Sequence, residues 1–268
     1  MLESIKMHTR QKAIRIHAQS EKAVTCVDSK FGGEFYLPAD MQLPASASGE
    51  EMEFLAQINF SQMPPLPGFP DKGLLQFFLC TAEEEMEEME MAAPSSQGHF
   101  QVRYFPSIEW KPSDGHNLAT HQKQALKGRW PMERLEGAME FEQAEEMATL
   151  SLGEEGIITN LGAEAFVEQL TEDELEEAGY DLSDCADVDR FCMDFGNWGC
   201  KAGGYPSIRQ GDLRLDEDGF EEYTTLLFQY DLTTQQELEA DTFSFLIRPA
   251  DLAACRFEDI LLCWHNCY

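Results

Sequence analysis

Two segments of the chain repeat the same order of glycines and apolar runs. The first has Gly-Gly at 32–33, then FLAQINF, then GLLQFFL; the second has Gly-Gly at 203–204, then LLFQYDL, then DTFSFLI. From the second glycine to the glutamine of the next run is 24 residues in the first segment and 25 in the second. A three-part match in one order predicts two copies of a β-rich unit that bury each other's apolar faces.

The apolar runs are short and end at Gly- or Pro-rich segments, which is typical of buried strands. The predicted fold is therefore α+β, a mostly antiparallel β-sheet with internal pseudo-duplication and a few helices. We expect one domain over residues 1–268, with pseudo-repeats at about 28–150 and 195–268. A helical connection is expected at about 160–180.

Helix is predicted there because apolar residues recur at helical spacing with acids between them. Thr171 and Glu174 form a capping-box pattern, and Gly179 is placed to end the helix. Further along, Asp218-Gly219 predicts a hairpin turn between Leu213 and Tyr223.

The charge of the chain limits its partners. Nineteen Lys and Arg stand against 50 Asp and Glu, so the formal net charge is −31. Hydrophobic residues make up 43%, enough for a core, which excludes wholesale disorder. So acidic a protein is not expected to bind nucleic acid or an anionic membrane surface. A basic protein is the partner that this charge favours.

The sequence predicts a cytoplasmic protein. Its N-terminus has no apolar signal-peptide core, and no stretch approaches 18 apolar residues. Without a secretory signal, the eight cysteines are expected to be thiols rather than a disulfide framework.

A polar pair stands in each apolar run and gives the first candidate site. Two interpretations stay open: hydrogen-bonded polar residues of the core, or residues that face a ligand in a cleft between the repeats. The Gly-Gly pairs at 32–33 and 203–204 also have two interpretations: they allow a backbone conformation that other residues rarely adopt, or they line the same cleft. The candidate residues are Gly33, Gln57, Asn59, Gly204, Gln229 and Asp231.

A glutamate run at 83–90 gives the second candidate site. It is either a docking strip for a basic surface, with methionines for apolar contact, or simply a solvated segment. The residues proposed for docking are Glu84, Glu85, Glu87 and Glu88.

The patterns of known catalytic and metal sites are missing from the sequence. Cys263 and Cys267 have zinc-like spacing but no second pair, and the chain carries no nucleophile elbow or phosphate-binding motif. The segment at 213–223 lacks two of the ligands that a calcium loop requires. No metal, cofactor or catalytic residue is predicted, and the balance favours a non-enzyme.

Several segments resemble the YwqG-like family of bacterial proteins: SKFGGEFYLPADMQLP, EFLAQINFSQMP, KGLLQFFL, FQVRYFP, AGGYPSIRQGD and the Trp-x-x-Cys-Tyr end. The resemblance implies a duplicated α+β fold of unknown function and, through members that resemble neighbours of toxin and immunity genes, an immunity-like role. The chain departs from the pattern at Phe35, Leu43 and the pair Glu239-Ala240, where the family often has Pro, Trp and Trp-Gly. A pocket lined by these positions would be altered here.

The function predicted from the sequence is a non-enzymatic, acidic, cytoplasmic protein that binds a basic protein and acts like an immunity factor. The alternative is a sensor or enzyme that binds a small molecule in a cleft between the two β-rich repeats.

Overall fold

The structure, a computed structural model, describes residues 2–38, 40–80, 98–109, 135–153, 156–208, 211–216, 218–231 and 241–265. In these ranges it has twelve strands and six short helices, and every strand pair that we describe is antiparallel. The prediction of an α+β protein with a mostly antiparallel sheet is confirmed.

The chain divides into two compact units. We call residues 1–15, 142–249 and 261–268 the first unit, and residues 16–141 and 250–260 the second unit. The single domain over residues 1–268 and its two pseudo-repeats stay predictions.

The second unit contains five strands in the order β6-β2-β3-β4-β5. Strand β4 is buried on both faces, since all six of its residues are inaccessible to solvent. One core cluster of this unit is formed by Phe35, Leu37, Met52, Phe78 and Cys80. The strands are β2 (Lys30–Phe31), β3 (Glu53–Asn59), β4 (Leu74–Leu79), β5 (Phe100–Phe105) and β6 (Gly137–Glu146), whose last residues belong to the first unit.

The first unit also contains a run of five antiparallel strands, in the order β12-β11-β10-β9-β1, and a separate pair, β7-β8. The strands are β1 (Gln11–Gln19), whose last residues belong to the second unit, β7 (Leu150–Gly153), β8 (Gly156–Thr159), β9 (Lys201–Gly203), β10 (Thr225–Asp231), β11 (Thr242–Ile247) and β12 (Leu261–His265).

Helices pack on the β7-β8 pair of the first unit. The cluster beneath them contains Ile5, Leu150, Val167, Leu175 and Phe191. The helices of the chain are α1 (Leu2–His8), α2 (Glu164–Val167), α3 (Glu172–Glu177), α4 (Cys185–Phe195), α5 (Leu213–Asp216) and α6 (Pro249–Ala253).

Local helix signals are confirmed at α3. The Thr171 side chain accepts a hydrogen bond from the Glu174 amide, and the Glu174 side chain accepts one from the Thr171 amide, which completes the capping box. Gly179 has a φ of +93°, and the Tyr180 amide donates to the carbonyl of Leu175, so the helix ends in a Schellman turn.

The predicted hairpin around Asp218-Gly219 is wrong. Leu213–Asp216 is a helical turn rather than a strand, because the Asp212 carboxylate accepts a hydrogen bond from the Arg214 amide and caps it.

No helix in the described ranges is long and apolar enough to cross a membrane, which requires about 20 apolar residues.

Candidate functional site

Gln57 is a fully buried amide in the second unit, with partners on both of its polar atoms. Its Nε2 donates to the carbonyl oxygens of Cys26, at 2.7 Å, and Asp28, at 2.8 Å. Its Oε1 accepts from Gln76 Nε2 at 3.0 Å and from the Tyr36 amide at 3.4 Å. The amide thus ties two loops to the middle of the sheet.

Gln229 holds the matching place in the first unit and is also fully buried. Its Nε2 donates to the carbonyl oxygens of Gly199, at 2.9 Å, and Asn197, at 3.2 Å. Its Oε1 accepts from the Ser207 amide at 2.8 Å and from Ser244 Oγ at 3.3 Å. The two glutamines therefore make the same kind of contact, each within its own unit.

The strand neighbours of the two glutamines match as well. Gln57 is paired with Lys30 on β2, and Gln229 is paired with Lys201 on β9. Each lysine lies two residues before a Gly-Gly pair. The pairing with the next strand shifts register in both units at the residue two positions before the glutamine.

The two lysines differ in their partners. Lys201 is fully buried, and its Nζ lies 2.9 Å from Glu146 Oε2. Lys30 is 2% exposed and donates from Nζ to the Thr25 carbonyl at 2.7 Å. Burial lowers the pKa of both lysines below the ordinary lysine value. Only the first unit therefore supplies a hydrogen-bonded carboxylate to its lysine among the described residues.

The predicted glycines, Gly33 and Gly204, are the second residues of the Gly-Gly pairs that follow the two lysines. Gly33 has a φ of +70° and Gly204 a φ of +67°, a region that side chains other than glycine rarely adopt. A Cβ on Gly204 would lie 2.3 Å from Glu146 Oε2, whereas a Cβ on Gly33 would meet no atom within 4 Å. Gly204 is needed for space as well as for backbone conformation.

Asn59 and Asp231 also bond within their own units. Asn59 is 7% exposed and donates from Nδ2 to the Val27 carbonyl at 2.9 Å. Asp231 is 4% exposed; its Oδ2 accepts from the Gly199 amide at 2.7 Å and its Oδ1 from Thr242 Oγ1 at 3.1 Å. A ligand-facing role for the six predicted residues stays a prediction.

The glutamates predicted for docking, Glu84, Glu85, Glu87 and Glu88, lie outside the described residues. A different acidic surface is described, on helices α2 to α4, and we call residues 164–195 the acidic helical segment. It holds twelve Asp and Glu residues and one base, Arg190. Nine of these carboxylates are exposed to solvent: Glu168, Glu172, Asp173, Glu176, Glu177, Asp181, Asp184, Asp189 and Asp194.

Arg190 does not neutralise the exposed carboxylates, because its guanidinium is already engaged in contacts of its own. Its Nη2 lies 2.9 Å from Asp187 Oδ1 and donates to the Gly179 carbonyl, and its Cζ lies 4.9 Å from the centre of the Tyr180 ring. The acids appear in the sequence between the apolar positions, but the helix pattern alone does not indicate that they bind anything.

Within the described ranges, no group of three or more His, Cys, Asp or Glu side chains is arranged to hold a metal ion. None of the cysteines described there forms a disulfide. Burial raises the pKa of the Cys200 and Cys263 thiols to about 12, so neither is a ready nucleophile.

These features define a class: an antiparallel α+β protein whose sheet carries a buried Lys-Gln pair in each of two units. The chain matches the family described as Domain of unknown function (DUF1963) over residues 29–267, and it belongs to that family. No curated protein matches it significantly. The resemblance seen in the sequence agrees as far as a family of unknown function; the YwqG-like placement stays a prediction.

Proposed function

We propose that the protein is a non-enzymatic cytoplasmic binding factor that captures a basic protein, in the manner of an immunity protein. The observation that carries the proposal is the acidic helical segment. Its exposed carboxylates lie on helices α3 and α4 and on the residues that flank them, and its single arginine is already bonded to a carboxylate of the same segment.

Charge of one sign on one segment favours association with a surface of the opposite sign. Such charges raise the rate of encounter and select against acidic partners. The net charge of −31 extends the attraction beyond the segment itself. The glutamate run at 83–90 is proposed as a second acidic contact.

The packing of α3 and α4 supports a rigid surface rather than a loose acidic tail. Leu175 and Phe191 are fully buried beneath these helices, and the capping box fixes the start of α3. A fixed arrangement of carboxylates costs less entropy on binding than a disordered one.

The alternative function, binding of a small molecule through Gln57 and Gln229, has less support. Both amides are fully buried, and both spend their polar atoms on contacts within the chain.

Internal duplication is part of the same proposal. Its support is the matched lysine pairing, glycine turns and register shifts around the two glutamines. On this account one unit has kept its structure while the acidic helical segment was added to the other.

Capture from a lysate of the producing organism at two salt concentrations tests the function. The Debye length falls from about 10 Å at 0.1 M salt to about 3 Å at 1 M, so charges are screened more strongly and an electrostatic partner dissociates at high salt. We expect one protein of high isoelectric point to be retained at 0.1 M and lost at 1 M. Retention of a neutral or acidic protein at both concentrations would overturn the proposal.

A further inference from the structure

The connection between helices α3 and α4, residues 178–184, is bonded to α4 at three consecutive positions. Each bond joins this connection to a side chain of α4, and we call the three together the α3–α4 clamp. Its donor and acceptor pairs are Arg190 Nη2 to the Gly179 carbonyl, the Tyr180 hydroxyl to Asp194 Oδ2 at 2.7 Å, and the Asp181 amide to Asp187 Oδ2 at 2.9 Å. The clamp is formed entirely within the acidic helical segment.

Arg190 connects the parts of the clamp. Its Nη2 bonds the Gly179 carbonyl, just after α3, and lies 2.9 Å from Asp187 Oδ1. The other oxygen of Asp187 is the acceptor for the Asp181 amide. The guanidinium also lies over the Tyr180 ring, with Cζ 4.9 Å from the ring centre. Arginine favours this combination of carboxylate, carbonyl and aromatic partners, so one side chain joins the end of α3 to α4.

Tyr180 anchors the clamp in the core of the first unit. Its ring packs edge-on against Phe191, at 5.5 Å between ring centres, and against Phe195, at 5.6 Å. Both phenylalanines belong to the buried cluster beneath the helices. Burial, together with the bond to Asp194, raises the pKa of Tyr180 to about 12. The hydroxyl therefore keeps its proton at neutral pH and remains a donor to the Asp194 carboxylate.

Exposed carboxylates lie on both sides of the clamp, with Glu176 and Glu177 at the end of α3 and Asp189 on α4. The clamp sets the distances between these two groups of charges. A folded basic partner carries its own charges at fixed positions, so it binds most tightly to carboxylates that are already held in a matching arrangement. Loosening α3 from α4 adds the entropic cost of ordering them to each binding event.

Arg190 has two opposing effects on such a partner, because its charge repels a basic surface while its contacts hold the carboxylates that attract one. We propose that Arg190 is a positioning residue of the binding surface, whose removal weakens capture of a folded basic protein although it makes the surface more negative. This inference rests on the proposed function. Charge alone predicts the opposite, since Arg190→Gln removes the only basic residue of the acidic helical segment. The sign of the effect therefore distinguishes positioning from charge.

Arg190→Gln is compared with the wild type and with Arg10→Gln, which removes the same charge from an exposed pair with Glu145, at 3.4 Å. The probe is the basic protein that the wild type captures from the lysate at about 0.1 M salt, and its association and dissociation rates are measured. We expect Arg190→Gln to speed dissociation by about 5-fold or more and to leave association unchanged or faster, because charge acts mainly on association and fit on dissociation. Arg10→Gln should not speed dissociation. Unchanged or slower dissociation from Arg190→Gln, or equal acceleration in both variants, would overturn the proposal.

Two further measurements separate positioning from a general loss of structure. A decalysine peptide is flexible and responds to charge alone, so Arg190→Gln should bind it at least as tightly as the wild type does. A loss of peptide binding as large as the loss of the folded partner would contradict positioning.

Tyr180→Phe breaks the bond to Asp194 without changing the charge, and it should speed dissociation of the folded partner about 2-fold or more. Dissociation from Tyr180→Phe at the wild-type rate would contradict the clamp. If the wild type captures no basic protein, the proposed function itself fails, and this role of Arg190 fails with it.

Discussion

The Nζ of Lys201 lies 2.9 Å from Oε2 of Glu146, and the two side chains are 0% and 1% exposed. The other oxygen of Glu146, Oε1, accepts no hydrogen bond from the described chain and lies 3.8 Å from Arg15 Nε. A buried charge that loses its partner is very costly, so this pair holds β6 and β9 in one arrangement within the first unit.

Glu146→Gln removes the carboxylate and leaves the Lys201 charge buried. We expect the free energy of unfolding in urea to fall by about 3–5 kcal/mol. The adjacent Glu145 gives a matched control, because its pair with Arg10, at 3.4 Å, is exposed to solvent. Glu145→Gln should change stability by about 0–1 kcal/mol. Equal effects of the two substitutions would show that the buried pair is not structurally important.

Substitutions at Gly33 and Gly204 distinguish the energetic cost of backbone strain from the cost of steric crowding. Gly33→Ala places a side chain at positive φ with open space around it, and we expect a cost of about 1–2 kcal/mol. Gly204→Ala has the same backbone strain and also collides with Glu146, which adds about 1–3 kcal/mol. Thermal or urea unfolding of both variants measures the difference. If Gly33→Ala is as destabilising as Gly204→Ala, crowding by Glu146 is not the cause.

Acid sensitivity is expected at Asp212. Burial acts to raise the pKa of this carboxyl, but the hydrogen bonds and charge of Arg214 outweigh it and hold the pKa below 3.8. A carboxyl whose pKa is lower in the folded state stabilises the protein above the unfolded value, and loses that effect as the pH falls through the folded value.

Asp212→Asn should therefore cost about 3–5 kcal/mol at pH 7, because it leaves Arg214 buried without its carboxylate. The difference from wild type should shrink progressively below about pH 3.8. Urea unfolding at several pH values gives the curve. Asp251→Asn is the control, since Asp251 pairs with the exposed Arg256. A difference that does not change between pH 7 and pH 3 would argue against the ionised Asp212–Arg214 pair.

Gln229→Leu tests whether the central amide is structural. The substitution leaves the Ser207 amide and the Gly199 carbonyl without their buried partner, so we expect a loss of about 1–3 kcal/mol in urea unfolding. Gln169→Leu, at an exposed helix position, is the matched control and should change little. An unaltered stability of Gln229→Leu would instead favour the ligand-facing interpretation.

Sequence patterns predicted those parts of the fold that depend on neighbours along the chain. The apolar runs around Gln57 and Gln229 indicated strands, and Thr171 with Glu174 indicated a helix start, because strand period and capping are local properties. The hairpin at 218–219 was wrong because the carboxylate of Asp212, just before it, caps a helical turn instead.

The remaining features depend on contacts between distant residues. Lys201 and Glu146 are 55 residues apart in the chain, and nothing in the local pattern distinguishes a lysine buried in a strand from an exposed one. Helix α1 was not predicted, since its one buried residue, Ile5, is stabilised by packing against residues far along the chain. The pairing of Gln76 with Arg103 requires the register of two strands, which the alternation of each strand does not supply.

The most direct test of the proposed function compares capture of the basic partner by two triple variants at 0.1 M salt. Glu168→Gln/Glu176→Gln/Glu177→Gln neutralises exposed positions of the acidic helical segment, and Glu21→Gln/Glu50→Gln/Asp71→Asn removes the same charge from exposed positions of the second unit. We predict at least a 10-fold loss of captured partner for the first variant and nearly full capture by the second. Equal capture by both variants would contradict a role for the acidic helical segment in binding.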